Sequence, residues 1–214
     1  MSDAAVSWAD RAADRSPRVQ RSRERSIEQA QLIVEAAQRL ITGGAEEFTT
    51  QELVKEAGVA LQTFYRYFGG KDELLLAVIE DMIASACEEF AAQADEFENP
   101  VDRLRSIVLA VAGPLATPGN APGRFIASEH WRLAKLFPDE ISAATRPYAD
   151  LVATEIRAGC EAGTLCSADP DRDAWFIGQL VMSVHHHHSF VDGPDPTLGD
   201  DLWRFCLASL GGAS

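Results

Sequence analysis

Apolar residues recur every three or four positions along most of the chain, a pattern that predicts helices. The predicted helices lie near residues 26–42, 50–57, 61–68, 72–93, 101–112, 124–137, 138–162, 171–191 and 198–210. Glycine and proline separate these segments, and residues 113–123 are predicted to be irregular because they hold three of each. No segment alternates apolar and polar residues in the way that a strand does. The predicted fold is therefore all-α.

The segment from Thr49 to Phe68 predicts two short helices joined by a tight turn. Thr49 and Glu52 have the spacing of a capping box at the start of the first helix. Gly58 suits the end of that helix, because glycine tolerates a positive φ. The second helix would bury Phe64 and Phe68 and turn a polar, aromatic face outward. This pattern is typical of a helix-turn-helix whose second helix enters the DNA major groove, although an ordinary helical hairpin is the alternative.

Residues 57–79, AGVALQTFYRYFGGKDELLLAVI, resemble the DNA-binding signature of the TetR family of one-component transcriptional repressors. The resemblance is specific over residues 27–79, and beyond them it is one of helical layout. It implies an N-terminal three-helix DNA-binding domain and a C-terminal helical bundle that binds a ligand and dimerises. Ala60 departs from the family pattern, because the family often has a serine there that caps the recognition helix.

The resemblance also implies which residues contact DNA. The residues implied to contact bases are Leu61, Gln62, Thr63 and Tyr65. The residues implied to contact phosphates are Thr50, Arg66, Tyr67 and Lys71. The predicted organisation is an arm at residues 1–25, a helix-turn-helix domain at 26–71 and a ligand-binding and dimerisation domain at 72–214. The helix near 72–93 belongs to both domains, so a tilt at its far end would move the DNA-binding unit.

Residues 1–25 have weak periodicity, and Ser16-Pro17 is expected to break any helix there. The segment is either a flexible, solvated tail or an arm that reaches phosphates or the minor groove of DNA. The arginines that such an arm would use are Arg18, Arg21, Arg23 and Arg25.

Within the bundle, the resemblance implies a largely apolar cavity and a dimer interface on the last two helices. The candidate residues for the cavity are Phe125, His130, Trp131, Phe137, Tyr148, Trp175 and Gln179. The candidate residues for the interface are Phe176, Leu180, Val184, His185, His188, Leu202, Phe205 and Leu210. Aromatic and aliphatic residues at helical spacing more often form core, so some of these are expected to pack inside the domain.

The formal net charge of −14 argues against a general nucleic-acid binder. The charge is unevenly distributed, however, because residues 76–214 have a net charge of −12. The segment from Arg11 to Arg25 instead holds six arginines against Asp14 and Glu24. An acidic body would repel DNA except at the N-terminal end, and so would orient the encounter.

No constellation supports catalysis, since no nucleophile with its base, phosphate-binding glycine loop or carboxylate pair is evident. The expectation is a protein that is not an enzyme and needs no cofactor. Four cysteines without ligand spacing predict reduced thiols. The consecutive histidines, residues 185–188, predict a polar helix end, and a metal site through His185 and His188 is the weaker alternative.

The chain has no run of 18 apolar residues, so no membrane span is expected. Its first residues lack the apolar segment of a signal peptide, which predicts a cytoplasmic protein. The predicted function is a homodimeric repressor that binds palindromic double-stranded operator DNA and is released by a small, largely apolar effector. The alternatives are an activator or co-repressed regulator, and a helical-bundle carrier or enzyme that does not bind DNA.

Overall fold

The computed structural model describes residues 16–43, 48–113, 121–191 and 195–212, and every regular element within those ranges is a helix. In chain order the helices are α1 (Pro17–Thr42), α2 (Thr50–Ala57), α3 (Leu61–Tyr67), α4 (Lys71–Ala94), α5 (Pro100–Ala112), α6 (Ala121–Leu136), α7 (Pro138–Glu161), α8 (Pro170–Phe190) and α9 (Leu198–Ser209). The all-α prediction is confirmed.

Helix α1 begins at Pro17, well before the predicted start at Ser26. Ser16 has an extended backbone and occupies the N-cap position, with the proline in the first turn. Proline lacks an N–H group, and the first turn of a helix has no partner for that group, so proline starts a helix there instead of breaking it. The prediction of a flexible arm is therefore wrong for residues 17–25, and residues 1–15 lie outside the described residues.

The segment predicted to be irregular, residues 113–123, is shorter than expected because α6 begins at Ala121. Residues 114–120 lie outside the described part of the chain. Proline and glycine at the start of α6 misled the prediction for the same reason as Pro17, since an early helical turn tolerates both. Helix α7 contains Pro147 in its interior and continues past it.

Two hydrophobic cores lie along α4. The first, which we call the reading core, joins α1, α2 and α3 to the start of α4, for example through Ile33, Leu53 and Phe64. The second, the bundle core, joins α5, α7, α8 and α9. Leu133 of α6 and Ile141 of α7 are buried in the reading core, so the three-helix unit packs directly on the larger bundle. A unit of about forty residues needs such support, since it buries little of its own surface.

None of the described helices is long and apolar enough to cross a membrane.

Candidate DNA-reading surface and internal cavity

The turn between α2 and α3 has the local geometry that its sequence predicts. The Thr49 hydroxyl accepts a hydrogen bond from the Glu52 N–H at 3.2 Å, and the Thr49 N–H donates to Glu52 Oε2 at 2.7 Å. The Thr49 hydroxyl also donates to Glu52 Oε2, at 2.8 Å, and the two bonds to this oxygen stabilise the ionised carboxylate and lower the pKa of Glu52. Gly58 then ends α2 with φ 66°, in the left-handed region. The cap and the glycine fix the direction in which α3 leaves the turn.

Helix α3 buries one side and exposes the other. Phe64 is 1% exposed in the reading core, whereas Tyr65 beside it is 57% exposed. Of the four residues predicted to contact bases, Leu61, Gln62 and Tyr65 are exposed and Thr63 is half-buried. Ala60 at the N-cap provides no side-chain cap. The outward face of α3 is therefore exposed to solvent.

The residues predicted to contact phosphates flank α3, but three of them already make contacts within the protein. Arg66 Nη2 and the Tyr67 hydroxyl donate to Gln29 Oε1 of α1 at 2.8 and 2.9 Å. Lys71 Nζ donates to the Phe48 carbonyl at 2.8 Å. Thr50 occupies the first position of α2. An ammonium group has three N–H donors, so Lys71 can bind the Phe48 carbonyl and still have donors left for a phosphate.

The four arginines assigned to the arm are exposed on the first turns of α1. Arg18, Arg21 and Arg25 are spaced by three and four residues, so they share one helical face. Arg21 Nε also donates to the Pro17 carbonyl at 3.0 Å. The helical backbone presents these cations as a stripe, which the sequence alone did not predict.

A cavity of about 680 Å³ lies between the end of α1 and helices α4 to α8. Of the residues predicted to line it, four do so: His130, Tyr148, Trp175 and Gln179. Helix α1 contributes further wall residues that the prediction missed, namely Gln38, Ile41 and Thr42, and α4 contributes others such as Met82 and Cys87. Burial raises the pKa of the Cys87 thiol to about 11, so this part of the wall is uncharged. No sequence signal marks these positions, because their spacing is that of ordinary core residues.

Three residues predicted to line the cavity do not lie on its wall. Phe125 and Phe137 pack against the reading core instead. Trp131 is 47% exposed at the surface. Helix α6 has the reading core on one side and the cavity on another, and apolar spacing does not distinguish two apolar environments on one helix.

The histidines predicted to lie in the dimer interface are buried within the subunit. His185 places Nδ1 3.3 Å from the Val111 carbonyl and Nε2 3.0 Å from the Gly123 carbonyl, and it also lines the cavity. His188 Nδ1 lies 3.2 Å from the Gly113 carbonyl. The last carbonyls of α5 have no partner within their own helix, and imidazole N–H groups meet that need. Within the described residues, no three His, Cys, Asp or Glu side chains are grouped to hold a metal ion.

The remaining interface candidates divide into two groups. Leu202 and Leu210 are buried in the bundle core, so their assignment to an interface is wrong, whereas Val184 is partly buried against that core and stays a candidate. Phe176, Leu180 and Phe205 are exposed on α8 and α9, with Phe205 at 63%. Trp175, whose ring centroid lies 5.1 Å from that of Phe176, is 54% exposed. We call Trp175, Phe176, Leu180 and Phe205 the exposed apolar face.

Known proteins match this chain most specifically in the helix-turn-helix. Residues 33–78 match the family described as bacterial regulatory proteins, tetR family. The chain is 31% identical over 77 residues to the HTH-type transcriptional regulator BetI of Brucella anthropi, over 36% of this chain and 40% of that protein. It is 35% identical over 95 residues to the HTH-type transcriptional regulator EthR of Mycolicibacterium smegmatis, over 44% and 43%. The matches therefore span less than half the length of these curated relatives.

Solved structures share the fold over most of the chain. FadR of Thermus thermophilus, a TetR-family transcriptional repressor in complex with lauroyl-CoA, is 22% identical with a TM-score of 0.64, over 85% of this chain and 92% of that one. RolR in complex with resorcinol is 15% identical with a TM-score of 0.64, over 88% and 90%. Residues 33–78 therefore form a helix-turn-helix of the TetR family of bacterial regulatory proteins, and the chain shares its fold with a solved TetR-family repressor.

Proposed function

We propose that the protein is a homodimeric transcriptional repressor that binds a palindromic operator and releases it when a small molecule fills the cavity. The observation that carries this proposal is the position of the cavity against α1. Gln38, Ile41 and Thr42 of α1 line the cavity, and Ile33 of the same helix is buried in the reading core with Phe64 of α3. A ligand in the cavity therefore touches a helix on which the DNA-reading helix packs.

DNA binding is supported by the open face of α3 and by the arginine stripe on α1. In the proposed complex, α3 lies in the major groove with Gln62 and Tyr65 toward the bases. Thr50, Arg66, Tyr67 and Lys71 contact phosphates around it, and the arginines of α1 contact phosphates or the adjacent minor groove. The acidic remainder of the chain keeps other surfaces away from DNA.

Dimerisation is supported by the exposed apolar face. Large apolar side chains left exposed on two neighbouring helices are typical of an interaction surface, and a second copy of the same face would cover them. One helix-turn-helix also reads too few base pairs for a specific site. Two of them about 34–36 Å apart match successive turns of the major groove.

Release follows from a difference in affinity between two arrangements of the dimer. In the ligand-free form the two reading units match the operator spacing. A ligand that binds better to another arrangement of α1 and α4 shifts the population away from DNA by no more than that difference. FadR of Thermus thermophilus, with the same fold, is described as a repressor in complex with lauroyl-CoA, which supports this scheme.

Selection of random double-stranded DNA by the purified full chain tests the proposal. The expected result is enrichment of one palindromic sequence, which then binds far more tightly than scrambled DNA. Failure to enrich any sequence would contradict the proposal. If a compound that binds the protein instead strengthens operator binding, the proposed release step is wrong. The protein would then be an activator or a co-repressed regulator.

A further inference from the structure

Among the described residues that line the cavity, two polar side-chain atoms are buried without a hydrogen-bond partner. They are the Tyr148 hydroxyl of α7 and Nδ1 of His130 of α6. Both residues line the cavity, with the Tyr148 ring beside Gly178 of α8. Buried polar atoms in proteins nearly always have a partner, since each unmet group costs free energy. Two unmet groups among the lining residues therefore point to a partner that is bound in the cavity.

Both groups are electrically neutral near pH 7. Burial raises the pKa of the Tyr148 hydroxyl, so it stays protonated and can donate a hydrogen bond. Burial lowers the pKa of His130, so its imidazole is uncharged and has one N–H donor and one acceptor nitrogen. The tyrosine thus suits a ligand atom that accepts a hydrogen bond, and the histidine suits a neutral ligand group that donates or accepts one.

The wall provides no charge to pair with a charged ligand in its buried part. Among the described residues that line the cavity there is no lysine or arginine. The carboxylates among them, Asp81 and Glu89, are exposed, and Asp81 accepts a hydrogen bond from Gln38. Taking an ion out of water without an opposite charge is strongly unfavourable. The apolar lining of the cavity includes residues such as Met82, Ile126 and Val181.

We propose that the effector is an uncharged, largely apolar molecule with a hydroxyl or carbonyl oxygen that accepts the Tyr148 hydrogen bond and lies against His130. The inference rests on the proposed function and narrows the chemistry of its ligand. It separates this cavity from one built for an anionic thioester such as the lauroyl-CoA bound by FadR of Thermus thermophilus. Size is not the discriminating property, because a cavity of about 680 Å³ admits many drug-sized compounds.

Four probes with one ring system test the charge class. Naphthol is neutral with an oxygen, naphthalene is neutral without one, naphthoate is an anion and naphthylmethylammonium is a cation. Each is titrated against the full chain loaded with the neutral dye Nile red, and displacement is followed by fluorescence. Naphthol is expected to displace the dye at concentrations at least about tenfold below those of either ion. The reason is that naphthol can make a hydrogen bond as a neutral molecule, whereas each ion would bury a charge without a partner. An ion that displaces the dye as well as naphthol does would overturn the proposal.

Tyr148→Phe tests the hydrogen bond itself, because it removes only the hydroxyl. Loss of one neutral hydrogen bond is expected to weaken naphthol about three- to tenfold and to leave naphthalene unchanged. Tyr65→Phe is the matched control, since Tyr65 is exposed on α3, and it should change neither probe. The ligand-free Tyr148→Phe variant should melt no lower than the wild type, because it loses an unpaired hydroxyl. Equal weakening of naphthol and naphthalene, or no weakening of naphthol, would show that Tyr148 shapes the wall without binding an oxygen.

Operator binding separates this inference from the proposed function. If the chain selects an operator but prefers a charged probe, only the ligand chemistry is wrong. If naphthol binds more tightly than the ions and its binding depends on Tyr148, but no DNA sequence is selected, the inference about the ligand stands and the proposed function is wrong.

Discussion

Gln38 of α1 donates a hydrogen bond to Asp81 of α4, with 2.7 Å between Nε2 and Oδ2. Both residues lie on the wall of the cavity. The bond therefore ties the helix on which the reading core is built to the helix that both cores share, at a place that a ligand can reach. The bond favours one angle between α1 and α4.

Asp81→Ala should weaken operator binding by the ligand-free protein, because it frees α1 from α4. We expect a loss of about two- to tenfold in affinity, the scale of one exposed hydrogen bond to a charged group. Asp81→Asn keeps an acceptor oxygen and should retain most of the affinity. Fluorescence anisotropy with a labelled operator measures both variants. Equal affinity for Asp81→Ala and the wild type would show that this bond does not set the DNA-binding arrangement.

Gln62→Ala tests base reading by α3, where Gln62 is exposed on the open face. If its amide makes a bidentate contact with a base, the variant should lose roughly 1–3 kcal/mol of operator binding and almost no affinity for random DNA. Gln93→Ala, an exposed glutamine at the far end of α4, serves as the matched control. Equal losses on operator and random DNA would assign Gln62 to the DNA backbone.

The helix-turn-helix could be predicted from sequence because its determinants are local. A capping box acts over three residues and a left-handed glycine acts at one, so Thr49, Glu52 and Gly58 predict the geometry that the structure has. The helix order followed from apolar periodicity for the same reason. The predicted start of α1 was wrong because a proline such as Pro17 can begin a helix in its first turn but kinks or breaks a helix in its interior.

The cavity and the histidines could not be predicted in the same way. Their positions depend on contacts between helices far apart in sequence, as when His185 meets the carbonyl of Val111. Apolar periodicity shows that a face is buried, but it does not show whether the neighbour is a core, a cavity or a second subunit. Phe125, Leu202 and Leu210 were assigned to the wrong neighbour for that reason.

The arginine stripe on α1 should contribute to the salt dependence of DNA binding. Arg18→Gln together with Arg25→Gln should flatten the slope of log affinity against log salt by about one unit for each phosphate that the variant no longer neutralises. Affinity for operator and random DNA should fall together, since phosphates carry no sequence. Arg146→Gln on α7 is the control, because its side chain is exposed outside the reading core. An unchanged slope in the double variant, with normal folding, would remove the stripe from the DNA interface.

His130 should make the protein less stable in mild acid. Burial lowers the pKa of its imidazole in the folded chain below the ordinary value near 6.5. Below that value the unfolded chain binds a proton that the folded chain resists, so stability falls as the pH drops through about 6.5. The melting temperature of His130→Gln should therefore fall less than that of the wild type when the pH is lowered from about 7.5 to 5.5. His187→Gln, at an exposed position, should behave like the wild type. Identical pH profiles for all three proteins would contradict the assignment.

The exposed apolar face should hold two subunits together, because Phe176, Leu180 and Phe205 are left in contact with solvent in one chain. Phe205→Glu places a charge in that interface and should convert a dimer into a monomer in analytical ultracentrifugation at micromolar concentration. Phe97→Glu is the matched control, since Phe97 is an exposed aromatic between α4 and α5 and should leave the dimer intact. The monomeric variant should also lose binding to a palindrome far more than binding to a half-site, because only the dimer reads both halves. A wild type that is already monomeric would remove the palindromic mechanism, and a dimeric Phe205→Glu would move the interface to another surface.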